Sequence, residues 1–289
     1  MIRAVVRRCA WPTIIGTNLL LAWWGLQTGW DHGSLVGMLS VGVAVPVLIL
    51  QRLLPYESTW RGWHVDLVTD LLHTVFSMGA ATELVKALLF GSIVWASAQL
   101  SHLLGMTLWP TYLPLFVQLP LALLIGELMT YTLHRASHEH PLLWRIHALH
   151  HSSERLYMLS GGRNHPISTA LAYALGTLPL ILMGAHAEIL VLTAVFTATN
   201  GMLQHANIDY VFGPLNWVIS TADLHRWHHS EVVHESCSNY GSNLIVWDVL
   251  FGTRFLPADR RISKVGLGPD SDFPNDFVGH LMSPFTMRV

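Results

Sequence analysis

The sequence predicts an all-α integral membrane protein: about four transmembrane helices, a helical hairpin and a cytoplasmic histidine-rich cap. Three observations carry this. Only 12% of the 289 residues are charged and 52% are hydrophobic, with mean hydropathy +0.42, whereas soluble domains carry about 25% charged residues. Uncharged stretches near the ~20-residue length of a membrane span recur along the first half. Histidines recur at helical spacing. The frame His-x-x-His-His occurs as His147, His150, His151 and again, 78 residues on, as His225, His228, His229. His134-x-x-x-His138 lies just upstream of the first. Residues three or four apart share one helix face, so three segments each present a comb of imidazoles.

The elements follow in order. Residues 1–10 carry Arg3, Arg7 and Arg8, and residues 12–30 then run without a charge. A signal peptide is the competing reading, but the run is long and lacks a small-x-small cleavage site. After Asp31-His32, residues 34–54 form a second span, with Arg52 near its end. Residues 64–77 contain Asp66, Asp70 and His73, which a lipid-facing helix tolerates poorly, and read as an amphipathic approach. Residues 84–104 form a third span and 112–132 a fourth, which continues into His134. Residues 167–204 hold two apolar stretches split around Gly184-Ala185-His186-Ala187-Glu188, a hairpin that dips into or crosses the membrane. From Leu224 onward the chain is more polar and reads as cap and tail. The organisation is therefore N-terminal membrane helices (1–110), a catalytic region (111–256) and a C-terminal tail (257–289). With the N-terminal arginines inside, spans two and four return to Arg52, Arg61, Arg135, Arg145 and Arg155, which places the histidines on the cytoplasmic side.

The composition also excludes classes. A net charge of -2 gives no basic field for nucleic acid. Cys9 and Cys237 make neither a thiolate metal motif nor a disulfide framework. Twelve of the 18 histidines lie between His134 and His229, and a metal explains that concentration. Imidazole suits iron, copper, zinc and nickel. The combs offer eight histidines, too many for one ion and right for two with about four ligands each. His205, at the hairpin's end, is a further ligand; His165, at its start, is either a ligand or a neighbour of one. A carboxylate-bridged di-iron bundle needs two Glu-x-x-His motifs, and Glu231-x-x-His234 stands alone. His32, His64, His73, His102, His140, His186, His234 and His280 read as surface, capping or packing residues. Glu127, one helical face with Tyr131 and His134, is expected to orient a histidine. Asp223 either caps its helix or holds a ligand. Asn239 either holds a metal-bound water or makes a turn.

Together these residues resemble the fatty acid hydroxylase/sterol desaturase superfamily. The resemblance covers roughly 120–256: His134-Arg135-x-x-His138, Leu143-Trp144-x-x-His147-x-x-His150-His151-Ser152-Ser153-Glu154, Arg163-x-His165-Pro166, Gln204-His205-x-Asn207, His225-x-x-His228-His229, Asn239-Tyr240-Gly241 and Trp247-Asp248-x-x-Phe251-Gly252-Thr253. It implies a membrane anchor with a cap holding two irons, which zinc can replace in a purified sample, and O2 as co-substrate for C–H oxidation of a lipid. The stretches 150–154 and 213–217 look like the alkylglycerol monooxygenase branch. Hydroxylases of the family carry a further histidine where this chain has Gly201, which leaves His165 as the substitute.

Electrons must come from outside, since the chain has no dinucleotide fingerprint and no haem or iron–sulfur cysteine motif. A ferredoxin or cytochrome b5-like carrier with its reductase is implied. Hydroxylation is the preferred outcome; desaturation and ether-lipid cleavage share its first step. The rival classes are a metal transporter, whose ligands would lie at mid-membrane, and a membrane protein with zinc holding its cap shut.

Overall fold

The computed structural model describes residues 1–62, 66–262 and 264–287; His64 lies outside the described residues. Among them the protein is helical, with two isolated bridges, Ile219 to Leu244 and Ser230 to Val265. The first half supplies α1 (Ile2–Gln27), α2 (His32–Leu53), a short α3 (Asp66–Leu72), α4 (Ala81–Leu104) and α5 (Leu115–Glu139). Asp31 starts α2 by accepting from the Ser34 amide at 2.8 Å, as N-cap carboxylates do. Then follow α6 (Pro141–His151), the hairpin α7 (Pro166–Leu182) and α8 (Ala187–His205), and four short helices: α9 (Ala222–His228), α10 (Val233–Ser236), α11 (Val246–Phe251) and α12 (Phe277–Thr286).

Among the described residues, three helical stretches are long and apolar enough to cross a membrane: His32–Leu53, Asp66–Leu104 and Leu115–Glu139. The expected first span lies in α1, which has the length but not the same apolarity; its Asn18, threonines and tryptophans lower it. The expected separation of an amphipathic approach from the third span is not found. Asp66–Leu104 is one 39-residue run, with a π-helical stretch at His73–Ala80 joining α3 to α4. Its acids do not break it, because they face inward onto arginines: Arg155 to Asp66 at 2.7 Å and Arg163 to Asp70 at 2.6 Å.

The long helices pack as a bundle. α8 lies against α1, α2 and α5, and α7 lies against α4 and α5. Polar pairs join α1 to α8: Trp11 donates to Asn200 at 3.0 Å and Asn18 to Thr199 at 2.7 Å. Where α5 crosses α7, a Cβ on Gly126 would come 2.7 Å from the Gly176 carbonyl, so both backbones approach as small residues allow in membranes. The bundle wears its apolar side chains outward: Leu20, Val41, Leu88, Trp95 and Phe116 are all exposed, the pattern of a lipid-facing surface. The region expected as a tail contains α12, which packs on α6.

Candidate metal centre

Four elements bring their histidines to one end of the bundle. α5 carries His134 and His138 in its last turns. His140 is extended (φ -114°, ψ 121°) and Pro141 opens α6, so the chain turns sharply and lays the second comb on the first. His205 closes α8, and α9 carries the third comb.

The side chains sort into two neighbouring groups: His134, His138, His147, His151 and His228, and His150, His205, His225 and His229. Within each, one donor atom per residue lies within 4.8 Å of all the others. The doubled frame explains the sorting. On α6, His147 and His151 are one turn apart and face the first group, while His150 is rotated into the second. On α9 and its C-cap, His225 and His229 face the second group and His228 the first. Adjacent helix positions differ by about 100° in direction, so one His-His pair serves two sites. The groups abut: the His151 and His229 rings stack with centroids 4.6 Å apart, and His150 lies 4.6 Å from His229.

The arrangement fits a cation. The Nε2 atoms of His134 and His147 are 3.0 Å apart, those of His147 and His151 3.2 Å, those of His205 and His225 3.0 Å, and those of His225 and His229 3.1 Å. Two ligands at the usual metal–nitrogen length of about 2.1 Å are separated by about 3.0 Å when they bond at right angles. His138 Nε2 and His228 Nε2 are buried with no hydrogen-bond partner, an arrangement costing about 1–3 kcal/mol per group unless something occupies the lone pair. Four rings are aimed by backbone carbonyls instead of carboxylates: His134 Nδ1 meets Tyr240 O at 2.6 Å, His150 Nδ1 meets Arg163 O at 3.2 Å, His205 Nδ1 meets Gly201 O at 2.9 Å and His228 Nδ1 meets Ser238 O at 2.8 Å. A carbonyl only accepts, so Nδ1 carries the proton and Nε2 presents its lone pair. Burial, then crowding by other imidazoles, holds His147, His150, His151, His225, His228 and His229 well below the usual imidazole pKa. The rings are therefore neutral, the form that binds metal.

Comparison with known proteins decides the family. The fatty acid hydroxylase family model matches residues 119–253. The ornithine lipid hydroxylase OlsE of Rhizobium tropici is 35% identical over 287 residues, covering 99% of this chain and 86% of that protein. The chain belongs to the fatty acid hydroxylase family. The alkylglycerol monooxygenase of Homo sapiens is 29% identical over 73% of this chain, which spans 46% of that protein. A putative Delta(7)-sterol-C5(6)-desaturase of Arabidopsis thaliana is 30% identical over 49% of this chain and 50% of its own length. No solved structure matches the chain significantly.

The stretch matched by the fatty acid hydroxylase model contains all nine grouped histidines, but not every candidate joins them. His165 stands outside both groups: its Nδ1 accepts from the Ile167 amide at 3.2 Å, starting α7, and its Nε2 meets Leu281 O at 3.3 Å. It joins neither group of candidate ligands. Glu127 makes no hydrogen bond to a histidine among the described residues. Its carboxylate accepts from the backbone amides of Ser242, Asn243 (2.7 Å) and Leu244 (3.2 Å). Asp223 sits in the first turn of α9 and pairs with Arg226 at 3.2 Å. Asn239 makes the turn: at φ 54° it donates to Leu224 O and Phe255 O and accepts from the Phe255 amide.

Sequence reading missed Asp248, which accepts from the Tyr240 and Gly241 amides at 2.8 Å each. With Glu127 it clamps the loop whose Tyr240 carbonyl aims His134. It also missed Gly161, which lies against the His205 ring, and the pairing of Asp70 with Arg163, whose carbonyl meets His150. The position of Asp248 within the quoted Trp247-Asp248 segment was the available signal for it.

Proposed function

We propose that this protein is a membrane-bound, O2-dependent di-iron hydroxylase that oxidises a C–H bond of a membrane lipid, with one iron at each histidine group. The observation that carries the reading is the pair of adjacent, largely buried, all-imidazole groups in a chain of this family. Bound iron supplies the redox chemistry that activates O2. The chain's own part is geometric and electrostatic. The carbonyls of Tyr240, Arg163, Gly201 and Ser238 fix the tautomer and aim of four rings. Burial limits water at the site, and all-imidazole groups would leave bound cations without anionic donors, which favours an oxidising site. The ligands are His134, His138, His147, His151 and His228 for one ion, and His150, His205, His225 and His229 for the other.

The first lipid to test is ornithine lipid, because the relative named for its hydroxylation spans the chain end to end. Ether-lipid cleavage is the second reading, favoured by the alkylglycerol monooxygenases over part of the chain. The electron donor acts in trans, a ferredoxin or cytochrome b5-like carrier. The histidine end faces the cytoplasm, since Arg7, Arg226 and Arg261 gather there around Asp209 and Ile208. Comparative lipid mass spectrometry of cells with and without the protein tests the substrate. A lipid gaining one oxygen atom, lost again in His150→Ala, supports hydroxylation. A depleted ether-lipid pool selects the second reading, and an unchanged lipidome rejects both.

A further inference from the structure

Two helices at the histidine end are inside out. On the stretch 66–80, Asp70, His73 and Ser77 are fully buried while Val68, Leu71, Val75 and Phe76 are exposed. On α12, His280 and Ser283 are buried at 1% exposure, while Val278 (66%), Met282 (49%) and Phe285 (72%) point outward at steps of four and three. A helix on a water-facing cap shows the reverse pattern. The polar face is satisfied internally. The Pro274 carbonyl only accepts, so His280 donates to it from Nε2 at 2.7 Å. His280 Nδ1 then accepts from His73 Nε2 at 3.0 Å, and His73 Nδ1 from the Ser77 hydroxyl at 2.8 Å. This chain of bonds fixes which face of α12 turns inward and leaves the apolar stripe outside.

From Phe277 to Thr286 there is no Asp, Glu, Lys or Arg, while Asp270, Asp272 and Asp276 immediately precede the helix. The stripe is continuous with the exposed apolar surface of a candidate span: Phe277 packs 6.2 Å from the half-exposed Phe76, which belongs to the run Asp66–Leu104, long and apolar enough to cross a membrane. We propose that α12 is an interfacial helix. Its Val278–Met282–Phe285 stripe rests in bilayer lipid, so that lipid reaches the wall formed by α12 and residues 66–80. The occupant is the acyl region of the surrounding membrane. Uncharged apolar side chains continuous with a spanning helix fit hydrocarbon, and the acidic run before α12 marks where the chain leaves it. Because α12 packs on α6, lipid on this side is separated from the metal ligands by one helix.

The test uses single cysteines in a Cys9→Ser, Cys237→Ser background, at Val278, Phe285, Leu88 and Asp272. Each is labelled with bimane and reconstituted in phosphatidylcholine vesicles with or without brominated acyl chains. Leu88, exposed on α4, reports lipid; Asp272 reports water. The expected result is quenching at Val278 and Phe285 close to that at Leu88 and well above that at Asp272. Quenching no greater than at Asp272 would overturn the proposal. So would cross-linking of two copies through Phe285→Cys without quenching, which would put a second copy of the chain on the stripe. Normal elution of each labelled variant shows that the fold survives.

Discussion

Gly161 lies against the ring of His205: a Cβ there would come 2.9 Å from Nδ1. That nitrogen already bonds to the Gly201 carbonyl, so the ring cannot move aside without losing its aim. Gly161→Ala should weaken the second metal position by 10–100-fold, the usual effect of disturbing a ligand's support. Metal titration followed by elemental analysis of the purified protein checks this; full occupancy at unchanged affinity would contradict it. Glu127 acts one step further out, through three backbone amides. Glu127→Ala leaves those amides buried and unpaired at about 1–3 kcal/mol each. Its unfolding midpoint in detergent should therefore fall by several degrees, and metal affinity should drop with it. The presence of Glu127 in an apolar helix was legible in the sequence, but its partners were not. They lie 115 to 117 positions away, and no helical periodicity reports a contact of that range. His165 misleads for a related reason: its spacing beside the hairpin resembles that of a ligand, yet its Nδ1 is taken by the Ile167 amide.

At the scale of elements, α6 and α9 carry the cluster's response to acid. Their six histidines have folded pKa values held well below the ordinary 6.5. The unfolded chain therefore binds more protons than the folded one as pH falls below 6.5, and stability rises with pH through that window. Their contribution is complete above 6.5 and is lost as acid approaches the folded values. The unfolding temperature of metal-free protein should hold steady at neutral pH and fall progressively on acidification. A midpoint unchanged down to about pH 5 would contradict the neutral-imidazole account. These two elements were the most legible part of the chain, because His-x-x-His-His fixes both helical character and facing direction. How they divide between the two histidine groups was not legible. It depends on the turn at His140-Pro141 and on where α8 delivers His205, both set by tertiary packing.

At the scale of the whole molecule, composition exposed the membrane class and the all-helical architecture, while charge misplaced one boundary. Asp66 and Asp70 suggested a break before the third span. Their partners Arg155 and Arg163 come from the far side of α6, and with the charges paired inside, the helix runs on. The ordering of α12 was hidden for the same reason: its inward face depends on His73, more than 200 positions away. The central claim is that imidazoles from four helices hold two irons that use O2 to hydroxylate a lipid. The most direct measurement supplies anaerobically reduced, iron-replete protein in vesicles of its host's lipids with isotopically heavy O2, counting iron per chain and reading the product by mass. The account predicts two irons per chain and one heavy oxygen atom in the new hydroxyl group. A hydroxyl oxygen drawn from water, or equal turnover by protein holding only zinc, would contradict it.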